Sequence, residues 1–97
     1  MHAHATCVVI HELGHVLHDF QSAALFWDFK LGRPPAGGAG WAAHATSVSH
    51  YATNNPLEMV AETFAGSMSG KTYPGGVGAA YGALGGPIPI ATAAAFP

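Results

Sequence analysis

Residues 5–20 read ATCVVIHELGHVLHDF, and the reading of this stretch decides the fold. Val8, Val9, Leu13, Val16, Leu17 and Phe20, followed by Ala24 and Leu25, recur at steps of three and four residues. That period predicts a helix from about Ala3 to Phe29, with a bend near Asp19 or Ser22. No segment alternates convincingly enough to predict a strand. The expected class is therefore mainly α, with this helix as its centre and little or no β-sheet.

Within the helix stands His11-Glu12-Leu13-Gly14-His15. Four residues advance about 400° around a helix, so His11 and His15 point the same way, one turn apart. Two imidazoles so placed can converge on one Zn²⁺. Glu12 lies beside the first imidazole, where it can reach a metal-activated water rather than the metal. It would accept the water's proton and pass it to a leaving group. The motif thus marks His11 and His15 as candidate metal ligands and Glu12 as the candidate general base.

A catalytic zinc takes three protein ligands, and after His15 the acidic residues are Asp19, Asp28, Glu58 and Glu62. A second helix is predicted to start at Asn55, a good N-cap, with Pro56 at its first position and Gly70 as its stop. Leu57, Val60, Ala61, Phe64 and Met68 form its apolar stripe. Glu58 and Glu62 share one face, with Ala61 and Ala65 small enough to admit a close neighbour. Glu58 can then complete the metal site while Glu62 hydrogen-bonds the far nitrogen of a ligand imidazole. In the competing reading, Glu58 closes a capping box and Glu62 is solvated.

The other candidates read more plainly. His18 follows His11 by seven residues, about 10.5 Å along a straight helix, and is expected as a solvent-facing residue or a support to the ligands. Cys7 reads as a small core residue, and as the lone cysteine it makes no internal disulfide. His2, His4, His44 and His50 read as scattered surface residues. Gly32 to Gly40 is a loop by composition, and Trp41 to Thr53 is irregular or partly helical. Two regions are expected: a core over residues 1–70, and a Gly/Ala/Pro-rich flexible tail over 71–97.

The pair of blocks, HELGH and then Tyr51-Ala-Thr-Asn-Asn-Pro-Leu-Glu58-Met-Val-Ala-Glu62-Thr-Phe-Ala, resembles the gluzincin-like zinc peptidases of the anthrax lethal factor catalytic-domain family. In that family a tyrosine precedes the ligand glutamate by seven residues, and a second glutamate follows it by four. The resemblance implies a zinc-dependent metallopeptidase with Glu58 as third ligand and Glu62 as its support. It also implies that Tyr51 donates its hydroxyl to the developing oxyanion. The chain is similar, too, to the ImmA/IrrE metallopeptidases, which place zinc, the base and a late carboxylate in the same roles. It departs from both at its start. Zinc peptidases carry a β-sheet ahead of the motif helix, whose edge pairs with extended substrate, and only ten residues precede His11. The expectation is either a minimal helical domain or a truncated one.

Composition narrows the partners. The chain has 97 residues, 8% of them charged, and a formal net charge of −2. An ordinary domain is about 25% charged. No basic patch suited to nucleic acid or to a membrane surface can be assembled. No signal peptide is legible, and Gly and Pro break the one uncharged stretch long enough to span a bilayer. The expected partner is a peptide or protein substrate, with Zn²⁺ as cofactor. The alternative is a non-catalytic zinc-binding module, or an inactive fragment of such a peptidase.

Overall fold

The computed structural model describes residues 4–35 and 40–87, with side chains from Val8 onward. Its elements are α1 (His4–Gln21), α2 (Ala23–Lys30), α3 (Gly40–Ala45), a 3₁₀ turn (Tyr51–Thr53), α4 (Pro56–Met68) and α5 (Val77–Ala83). The chain is mainly helical, and no strand occurs among the described residues. None of these helices is long and apolar enough to cross a membrane.

The expected bend falls at Ser22, which separates α1 from α2. It is a tight junction, with the Ser22 amide donating to the His18 carbonyl and the Phe26 amide to that of Ser22. Helix α4 begins and ends where its residues predict. The Asn55 side chain accepts from the Glu58 amide at 3.0 Å, and Pro56 occupies the first turn. At the other end Gly70 takes φ +91°, the left-handed conformation open to glycine. There Lys71 N–H bonds the Gly66 carbonyl and Gly70 N–H that of Ser67, the paired closure of a Schellman motif.

The principal packing is α4 along α1. Gly14 makes it possible, since a Cβ there would lie 3.2 Å from Ala61 Cα and 3.2 Å from a ring carbon of Phe64. Around this contact, Leu57, Met59, Val60 and Phe64 of α4 join Phe26 and Phe29 of α2, Val48 and Ala52. Met68, placed by the period on the apolar stripe, instead stands exposed at the helix end.

The expectation for the end of the chain is corrected here. Residues 71–97 were expected to form a flexible tail without a core. Tyr73, Val77, Tyr81 and Leu84 are buried, and α5 packs against α3 and α4. Tyr81 donates its hydroxyl to the Pro87 carbonyl at 3.0 Å. The composition misled because four well-spaced large side chains suffice to bind a glycine- and alanine-rich segment to an existing core. Residues 88–97 lie outside the described residues. Helix α1 buries the side opposite most of its apolar stripe. Val8, Val9, Leu13, Val16 and Phe20 are exposed, while Gly14 and His18 of the opposite face are buried. The apolar stripe marked the helix but not the side it buries. Close approach to α4 requires the face with the missing side chain.

His18 is consequently neither solvent-facing nor near the ligands' far nitrogens. It is wholly buried, donates Nε2–H to the Leu84 carbonyl at 2.8 Å, and packs edge-on to Phe26 at 5.4 Å between centroids. This bond ties α1 to the end of α5. Its Nδ1 has no partner, so the ring is held neutral. Burial pushes its pKa below 6.5, with a smaller push from His15, and outweighs the opposing pull of the Leu84 carbonyl and Asp19. The unfolded chain binds this proton near pH 6.5 and the folded chain resists it, so this group costs the fold nothing above about pH 6.5 and destabilises it increasingly as the pH falls below that. One such proton steepens the loss by at most about 1.4 kcal/mol per pH unit. Urea titrations of wild type and His18→Met across this range should show a shallower pH slope in the variant, beside a pH-independent loss of about 1 kcal/mol from the missing bond. Equal slopes would contradict the buried neutral ring.

Candidate metal centre

The centre is assembled across the α1–α4 contact. His11 and His15 lie one turn apart on α1, and Glu58 and Glu62 one turn apart on α4. The Gly14–Ala61 approach draws the two pairs together, so the four side chains meet although 47 residues separate His11 from Glu58.

His11 is gripped on both sides. Its Nδ1 lies 2.7 Å from Glu62 Oε2, and its Nε2 lies 2.8 Å from Glu58 Oε1. His15 Nε2 stands 3.5 Å from the same Glu58 oxygen. The two imidazoles meet edge to face, with centroids 4.8 Å apart. One donor atom each from His11, His15 and Glu58 can be chosen so that all three lie within 4.8 Å of one another. Donors at about 2.0–2.1 Å from a tetrahedral ion are separated by about 3.3 Å, so the triplet is of the right size to converge on one cation.

The hydrogen bonding gives an independent test of fit. Glu62 accepts from Nδ1–H of His11, which leaves Nε2 as the lone-pair nitrogen of a neutral ring. That lone pair is turned toward Glu58 Oε1, itself an acceptor when ionised. Two acceptors at 2.8 Å need a proton or a cation between them. A proton makes His11 an imidazolium bridging two carboxylates, and a divalent ion satisfies both acceptors and adds His15. The donor set of two imidazoles and a carboxylate suits zinc or another first-row transition ion such as iron(II), where magnesium and calcium favour all-oxygen sites.

The surroundings set the carboxylates. Glu58 occupies the first turn of α4, where the helix dipole favours negative charge. Its backbone N–H goes to Asn55 while its side chain turns to His11, so the capping bond is made without the glutamate's reciprocal arm. Glu62 receives a second bond, from the Ser49 hydroxyl to Oε1 at 2.9 Å. Ser49 Oγ in turn accepts from the Ala52 amide at 3.0 Å, at the start of the 3₁₀ turn. Ser49 went unnoticed in the sequence. Its only signal is a serine two residues before a helical turn, a common local motif that gives no hint of a long-range partner.

The remaining candidates take definite places. Tyr51 opens the 3₁₀ turn with its ring 5.7 Å from that of His11, and it is 52% exposed. Glu12 is exposed on α1, directly after the first candidate ligand. His50 is exposed and His44 half-buried on α3. The side chains of His4 and Cys7, and all of His2, lie outside the described residues. An apolar cleft of about 460 Å³, lined by Phe29, Trp41 and Leu84 among others, lies apart from the cluster.

If Glu62 orients His11, Glu62→Gln should weaken Zn²⁺ binding by about 10–100-fold, while Ser49→Ala should weaken it less. Competition against a chromophoric chelator measures both, and unchanged affinity in Glu62→Gln would refute the supporting role. Compared with protein-family models, with curated proteins and with solved structures, the chain finds no match.

Proposed function

We propose that this chain is a zinc-dependent metallopeptidase that hydrolyses peptide bonds through a metal-activated water, resembling the gluzincin-like anthrax lethal factor catalytic-domain family. The observation that carries the reading is His11 held at Nδ1 by Glu62 while its Nε2 meets Glu58 Oε1, the oxygen that His15 Nε2 also approaches. A structural carboxylate pair would not need to bring the second nitrogen of one imidazole and a nitrogen of another to the same carboxylate oxygen. In this reading His11, His15 and Glu58 hold zinc and Glu62 supports them.

Zinc when bound supplies Lewis acidity, lowering the pKa of a coordinated water toward about 7 and polarising the scissile carbonyl. The chain supplies the rest. Glu12, exposed beside His11, is free to take a proton from the attacking water and deliver it to the departing amine. Tyr51, its ring 5.7 Å from that of His11, would donate its hydroxyl to the oxyanion. The acid–base residue and the oxyanion donor thus come from different elements, α1 and the 3₁₀ turn, each anchored against α4.

A second reading, a zinc-binding module without turnover, is favoured by one observation. No strand occurs among the described residues, so they offer no sheet edge to align an extended peptide. Hydrolysis of a quenched-fluorescent peptide library by the zinc-loaded chain separates the two. The peptidase reading expects cleavage that a chelator abolishes. Glu12→Gln should keep wild-type zinc affinity and lose at least about 100-fold in rate, and Tyr51→Phe should lose about 10²–10³-fold. Undiminished cleavage by Glu12→Gln would overturn the mechanism. Zinc binding without any cleavage by wild type would leave the module.

A further inference from the structure

Helix α1 is apolar on the side that faces away from α4. Val9, Leu13, Val16 and Phe20 are 67%, 43%, 62% and 83% exposed. Their spacing is four, three, four, and on a helix these positions fall within about 60° of one another. This is the a/d seam of a heptad pattern, the spacing by which one helix pairs with another. The charged neighbours Glu12 and Asp19, seven residues apart, stand along one edge of the seam and not within it. Trp27 extends the patch at that edge, held there by its indole N–H bond to Asp19 at 3.0 Å, and it is 49% exposed.

We infer that this face is a self-association surface and that its occupant is a second copy of the chain, paired α1 to α1 about a two-fold axis. Area supports the choice. The seam with Trp27 exposes on the order of 600 Å² per copy, at the top of the range a monomer leaves bare, and Glu12 and Asp19 border one side of it. Two copies cover about 1,200 Å², the lower end of specific protein interfaces. Shape and charge agree. A two-fold pair needs one self-complementary strip, and an uncharged strip with period 3.5 meets its own copy without opposing charges in the seam. Helix α1 spans His4–Gln21, so the strip runs from its second turn to its last residue but one. The face that carries His11 and His15 is turned to α4, so pairing leaves the metal cluster's partners unchanged and does not depend on the proposed chemistry.

Sedimentation velocity of the 97-residue chain from about 1 to 100 µM tests this, over the range that resolves a micromolar dissociation constant. Wild type should pass from monomer to dimer. Phe20→Glu and Val9→Lys should remain monomeric with unchanged helical circular dichroism, as both side chains already face solvent. Met68→Glu, an exposed apolar site at the end of α4, should dimerise like wild type. Should the charged variants unfold, Phe20→Ala serves instead and should raise the dissociation constant roughly thirtyfold. A wild type that stays monomeric throughout overturns the inference. So does a dimer that survives folded Phe20→Glu and Val9→Lys, which would place the contact elsewhere.

Discussion

The structure depends on how closely α1 and α4 approach at Gly14. Bare of a side chain, Gly14 lies against Ala61 and Phe64, and that contact draws two histidines from one helix to two glutamates from the other. His11 then sits between carboxylates at 2.7 and 2.8 Å. Half-buried charges at this distance are costly to desolvate unless something positive lies among them. A proton on His11 answers part of that need. A divalent cation answers it more fully, because it also engages His15. The packing and the proposed chemistry are therefore one constraint, since a wider helix spacing would lose both.

That constraint accounts for the unusual orientation of α1. An isolated amphipathic helix would bury Val9, Leu13, Val16 and Phe20. Here the helix buries its glycine and histidine face and leaves the aliphatic one bare. The core is supplied instead by α4, α2 and α5, with Met59, Val60, Phe29, Val77 and Leu84 at its middle. His18 marks the seam between these layers, since its bond to Leu84 joins the start of the chain to the last described helix. The same inversion leaves a heptad-spaced apolar strip available to a second copy.

Much of this was legible in the residues, and what was not has physical reasons. The i, i+4 spacing of His11 and His15, the Asn55–Pro56 start of α4 and the one-turn spacing of Glu58 and Glu62 are local rules, and local rules survive folding. The contact of Glu62 with His11 Nδ1 was expected as the support that an imidazole would need if it held a metal. The buried side of α1 could not be read from period alone, because the period reports an apolar face and says nothing of what lies opposite. His18 looked polar and was placed outside, yet one carbonyl and two aromatic rings suffice to hold it inside as a neutral ring. Ser49 and α5 escaped for a common reason. Each acquires its role from a partner outside its own element, Glu62 for one and helices α3 and α4 for the other.

The central claim is that His11, His15 and Glu58 form one metal site supported by Glu62. Elemental analysis of the purified chain after equilibration with zinc at neutral pH, with His11→Ala alongside, tests it most directly. The account predicts one zinc per wild-type chain and none retained by the variant. Zinc absent from wild type, or held equally by His11→Ala, would contradict it.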